Sequence, residues 1–196
     1  MSIFFTYFEL GYDHILDIKG YDHILFVLAL CAAYKLYDWK KILILITAFT
    51  IGHSLTLALS VFDLVSISSN LIEFLIPLTI LFTAISNIWK SHQPITKYKT
   101  RANYALALFF GLIHGLGFSN YLKMLLGRDK EIIGQLFGFN VGLEVGQLLI
   151  VIFFLIISFI FTQFLRVKDR DWKLIISSAI AGISLIMVIE SGYWSS

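Results

Sequence analysis

The sequence predicts an all-α integral membrane protein: a bundle of about six transmembrane helices with a short N-terminal interfacial or re-entrant segment. Three observations carry this. The chain is 58% hydrophobic and only 14% charged, whereas a soluble domain runs near 45–50% and about 25%, so there is too little polar surface to cover it in water. Mean hydropathy is +0.83. Six apolar segments approach the roughly 20 residues that a helix needs to cross the hydrocarbon core, and none shows the polar alternation of a membrane β-strand.

The segments run about Gly20–Tyr37, Lys41–Val61, Asn70–Lys90, Arg101–Leu122, Ile132–Leu165 and Trp172–Gly192. The fifth is too long for a straight crossing and must tilt or project. Its Gly138, Gly142 and Gly146 recur at four-residue spacing, which lines them up on one face and permits close helix packing. Ahead of these spans, Phe4, Phe5, Tyr7, Phe8, Leu10 and Tyr12 make residues 2–19 amphiphilic, as expected of a segment lying on the outer face. Two domains follow: residues 1–19, the interfacial segment, and residues 20–196, the six-helix membrane domain. The N-terminus lacks a basic signal-peptide n-region and a cleavage site, so the first residues are expected to stay in the mature protein.

Basic residues set the orientation. Lys35, Lys40 and Lys41 lie in loop one, Lys90, Lys97, Lys99 and Arg101 in loop three, and Arg166, Lys168, Arg170 and Lys173 in loop five. Loop two carries Asp63 and no base. The positive-inside rule then puts the odd loops in the cytoplasm and both termini outside. Loop four partly conflicts, with Lys123, Arg128 and Lys130 beside Asp129 and Glu131. Net charge is +2, collected at these loops, which argues against a nucleic-acid partner; membrane lipid is the expected surrounding. The single cysteine, Cys31, sits in an apolar run and reads as packing.

Ionisable groups inside a membrane are costly and point to function. Here they are Asp22, His23, His53, His114, Glu144 and, near an outer end, Glu190, with His14 and Asp17 just before the first span. Lys35 and Lys90 sit at span ends and can snorkel, and His92 in the basic third loop reads as surface. At about 1.5 Å per residue, His23 lies roughly 5 Å in from its outer helix end, His53, His114 and Asn140 roughly 12 Å, and Glu144 roughly 18 Å. Residues from different helices therefore share the outer half of the membrane. Histidines with carboxylates at one depth suit a divalent metal, nickel or zinc among them. The expected metal set is His23, His53, His114, Asp22, Glu144 and His14. Adjacent Asp22 and His23 point about 100° apart on a helix, so one is expected to ligate and the other to orient a partner. The competing reading of each ring is a plain interhelical hydrogen bond. Ser54 and Ser119 read as helix hydroxyls before nucleophiles, and no HExxH is present. Gly11-Tyr12-Asp13-His14-Ile15-Leu16 nearly repeats as Gly20-Tyr21-Asp22-His23-Ile24-Leu25, an offset too short for a structural repeat.

Four stretches resemble the HupE/UreJ family of membrane proteins. Gly20–Phe26 resembles its G-x-D-H-x-L-F signature, Phe49–Leu57 its F-T-x-x-H-S-L-T-L, Phe110–Phe118 its F-G-x-x-H-G-x-G-F, and Phe139–Gln147 its F-N-x-G-V-E-x-G-Q. The family is described as hydrogenase and urease accessory proteins, some regarded as nickel permeases. The resemblance implies Asp22, His23, His53, His114 and Glu144 as the shared polar set, in a bacterial inner membrane. The permease type places a histidine about six residues before its Asp-His pair, whereas His14 lies eight before Asp22, and it carries a second His-rich helix where this chain has His53 alone. The match is better to the second, UreJ-like branch. Two functions follow as expectations. One is a nickel or other divalent-metal permease or accessory protein with an outward site. The alternative is a zinc-dependent intramembrane hydrolase or transferase, with Glu144 or Asp22 as general base, acting on a lipid or membrane-anchored peptide. A scaffold that binds without turnover is a third.

Overall fold

The structure, a computed structural model, describes residues 2–92, 97–126 and 132–193. The mixed-charge residues Arg128, Asp129, Lys130 and Glu131, and the side chains of His92, Lys97 and Lys99, lie outside the described residues. Among the described residues seven α-helices form: α1 (Ile3–Leu16), α2 (Asp22–Ala32), α3 (Trp39–Val61), α4 (Ser69–Trp89), α5 (Lys97–Leu126), α6 (Ile132–Phe159) and α7 (Asp169–Glu190). Among the described residues there is no strand.

Among the described residues five stretches are long and apolar enough to cross a membrane: Leu36–Val61, Ser69–Trp89, Thr100–Leu125, Ile132–Phe164 and Asp169–Glu190. These match the expected second to sixth spans, and α2 is a sixth, shorter apolar helix. Large side chains such as Phe109, Phe153, Phe164 and Ile186 stand exposed on the bundle, a placement that lipid accommodates and water does not. The long fifth segment ends in a π-helical turn over Ile160–Phe164.

The expected first span departs from the sequence reading. Its helix holds 11 residues, or roughly 16 Å at 1.5 Å each, about half the hydrocarbon thickness. It stops at Ala32 because the chain turns through Tyr34 and Lys35 into the 3-10 turn Leu36–Asp38. The Asn87 amide of α4 donates to the carbonyl of Ala29 at 2.7 Å, satisfying a group that the short helix leaves open.

Residues 3–16 form a helix that lies along the first half of α6. The stripe Gly138, Gly142, Gly146 is its track: a Cβ on Gly142 would strike the Phe8 carbonyl, and one on Gly138 would lie 2.8 Å from the Phe4 carbonyl. Gly11 returns the contact against the Phe139 carbonyl. Farther along α6, Leu25 and Leu28 of α2 line an apolar crevice with Leu149, Ile150 and Phe153. So α1 and α2 follow one another along a single partner helix.

Ion pairs sort the two ends of the bundle. Lys35 reaches Asp169 at 2.8 Å, joining the connections before α3 and α7. At the other end Lys123 reaches Asp63 at 2.9 Å, joining the ends of α5 and α3. The first and fifth connections therefore meet at one end, and the second and fourth at the other.

Candidate metal centre

Two pairs of elements bring the imidazoles together. The first is α3 with α5. Gly52 faces the Leu108 carbonyl, Gly111 the Phe49 carbonyl and Gly115 the His53 carbonyl, each too close for a Cβ to fit. Small residues at such a crossing let the backbones touch, and the touching backbones set His53 and His114 side by side. Both are fully buried.

The second pair is α1 with α2. Between them the Asp17 carboxylate accepts the Lys19 backbone N–H at 2.8 Å, closing a tight break over residues 17–21. His14 sits in the last turn of α1, and Asp22 and His23 open α2. The break thus points both ends into the same space. The His14 and His23 rings lie 4.7 Å apart, His14 and His53 6.2 Å, His23 and His53 5.8 Å, and His23 and His114 5.2 Å, between centroids.

Potential ligand atoms of His14, His23 and His53 lie within 4.8 Å of one another, as do those of Asp22, His23 and His114. Two nitrogens bound to one ion at about 2.0–2.1 Å each lie no more than roughly 4.2 Å apart, so the rings stand near that spacing. His14 Nε2, His23 Nε2, both nitrogens of His53 and His114 Nδ1 are buried without any hydrogen-bond partner. Buried polar atoms are rarely left so, and five stand together here.

The hydrogen bonds that do exist prepare the rings. His23 Nδ1 donates to the Asp22 carboxylate at 3.2 Å, which leaves Nε2 with its lone pair. The Thr79 hydroxyl of α4 gives its single proton to the Ile76 carbonyl at 2.7 Å. With the proton so placed, the hydroxyl oxygen accepts from His114 Nε2, 3.0 Å away, in the tautomer that leaves His114 Nδ1 its lone pair. An outer partner that fixes the tautomer of a ligating imidazole is the usual arrangement around a bound metal. Asp22 and His23 thus touch each other, and the Asp22 carboxylate also lies within reach of the second group.

Aromatic rings wall the cluster. Phe118 lies 3.9 Å from His14, Phe26 4.8 Å from His114 and Phe49 5.2 Å from His114, between centroids. Phe26, Phe49 and Phe139 are fully buried. They exclude water, which raises the worth of every charged contact inside.

Glu144, expected in the set, belongs to neither group. Its carboxylate accepts from the Thr47 hydroxyl at 2.9 Å, in a polar seam between α3 and α6 that also pairs Thr50 with Gln147 at 2.7 Å and Ser54 with Asn140 at 2.6 Å. Glu190 is exposed at the end of α7 and Asp17 is exposed at the break. Ser119 donates to the Leu116 carbonyl at 2.8 Å, an ordinary helix hydroxyl, while the Ser54 hydroxyl lies between the Thr50 carbonyl at 2.7 Å and Asn140. Sequence reasoning missed Thr79 and the phenylalanine wall. A threonine inside the third span, two residues after Pro77, is the only sequence signal for the former.

No curated protein and no solved structure matches the chain. The family described as HupE / UreJ protein matches residues 1–195, essentially the whole length and all the elements that meet at the imidazoles. With five membrane-length helices around them, the conclusion is that the chain is a metal-handling membrane protein belonging to the HupE / UreJ family.

Proposed function

We propose that the protein is a permease for a divalent transition metal, nickel being the cargo the family favours, and that His14, His23, His53 and His114 with Asp22 capture the ion. The observation that carries this is the set of buried imidazole nitrogens without partners. Imidazole suits nickel, and a site built mainly of neutral rings with one carboxylate can hold such an ion without trapping it. In this reading α1 and α2 together make the first crossing as a discontinuous helix, broken beside the ligands. Broken helices that turn their ends toward an ion at mid-membrane are a recurring device of transporters. The positive-inside rule supports both termini facing outward.

A zinc hydrolase draws less support. It needs a free general base next to a metal-bound water. Of the two carboxylates available, Asp22 is engaged by His23 and Glu144 by Thr47. The test is nickel uptake into proteoliposomes. Wild-type protein takes up nickel and His53→Ala does not; equal uptake by empty and protein-containing vesicles rejects the permease reading.

A further inference from the structure

A permease needs a way out as well as a grip. We infer that the ion leaves the imidazoles through a second, neutral-oxygen site between α2, α3, α4 and α5, at the Lys35 end of the bundle. This rests on the permease reading and adds the release step.

The route begins at the imidazole cluster. Thr79 holds His114 Nε2 at 3.0 Å, and one turn on, the Thr83 hydroxyl donates to the Thr79 carbonyl at 2.8 Å. Ser86 and Asn87 follow at the next turn. Positions 79, 83, 86 and 87 share one helix face, so α4 carries a polar line from the buried rings toward the Lys35 end. The line opens into a cavity of about 40 Å³ lined by Thr83, Ser86, Asn87, Tyr34, Asn103 and Phe110, among others. That is room for about two or three waters. Asn103 Nδ2 donates to the Tyr34 hydroxyl at 3.1 Å, and Asn87 spends its amide on Ala29. The two asparagines, Tyr34 and Ser86 thus bring amide and hydroxyl oxygens to the cavity lining.

Neutral oxygens and water hold a nickel-like ion less tightly than imidazole does. An ion stepping from rings to this pocket therefore exchanges strong ligands for weak ones while staying solvated. Between the two sites stands an aromatic plug. Phe26 covers His114, and Phe110, which lines the cavity, meets Phe26 at 5.9 Å and Phe82 at 6.0 Å between centroids. Passage requires these rings to swing, which makes Phe26 and Phe110 the inner gate.

Two measurements test this. Asn103→Leu fills the pocket with apolar surface; nickel uptake into proteoliposomes falls at least fivefold, while nickel affinity by calorimetry stays within twofold of wild type. Separately, the Ser86→Cys thiol, in a Cys31→Ala background, reacts with a charged thiol reagent applied at the Lys35 side of sealed vesicles and not from the opposite side. Unchanged uptake in Asn103→Leu beside an active wild type overturns the release site and leaves the permease reading standing. Joint loss of affinity and uptake also overturns it, as does labelling from the opposite side or from neither. A wild type that carries no nickel removes both readings together.

Discussion

The rings of His14 and His23 meet at a centroid distance of 4.7 Å across a break in the helical path. Each closes a nearly identical Gly-Tyr-Asp-His stretch, one at the end of α1 and one at the start of α2. The short repeat is thus used twice on one pocket, once from each side of the turn.

Loss of a ring is the first test of the pocket. His53 has no hydrogen-bond partner on either nitrogen, so His53→Ala removes no bond that the apoprotein needs. Nickel affinity measured by calorimetry drops beyond the roughly 10–100-fold that outer partners of a metal cost. The apoprotein still folds, with a thermal midpoint lowered by the cavity that the buried ring leaves.

The outer partners are tested by Thr79→Val, which keeps shape and deletes the acceptor for His114 Nε2. Affinity falls by about 10-fold, and Thr79→Ser restores it. Asp22→Asn, which keeps volume and removes the charge, lowers affinity by about 10–100-fold. In both variants circular dichroism stays that of the wild type.

Glu144→Gln separates depth from position. Because Glu144 stands with Thr47 and apart from both ligand groups, nickel affinity in this variant remains within about twofold of wild type, less than any outer-partner loss. A loss as large as that of His53→Ala restores Glu144 to the metal set.

Glycine substitutions test the helix crossing. Gly115→Ala drives a Cβ into the His53 carbonyl and destabilises the protein in detergent by about 1–3 kcal/mol, the usual cost of overpacking. Gly182→Ala meets open space and changes nothing adverse, gaining up to about 1 kcal/mol of helix propensity. Thermal unfolding of the two variants side by side reads the contrast.

Added nickel raises the thermal midpoint of the wild type, because an ion that binds only the folded state stabilises it by mass action. A chelator reverses the shift, and His53→Ala shows none.

Hydropathy and helical rise were enough to find the long spans and to bring His23, His53 and His114 to one level. They could not separate Glu144 from the rings, since depth along a helix says nothing of the direction around it. On α6 the face toward α1 is spent on Gly138, Gly142 and Gly146, and Glu144 looks instead toward Thr47 of α3. The first span was misjudged because an apolar run from Gly20 onward looks continuous. The polar run Asp17-Ile18-Lys19-Gly20 was the visible sign that a helix ends before it. That α1 extends the same line along α6 is a long-range packing fact, which local hydropathy cannot carry.

The glycine-lined crossing of α3 and α5 divides the ligands into unequal halves. His53 and His114 are anchored to two backbones in direct contact, which leaves them no freedom to separate. His14 and His23 hang on either side of a turn, one on a helix that rests against smooth glycine track. A cation would therefore meet two fixed rings and two adjustable ones, and could be surrendered by loosening half its shell while the other half stays put.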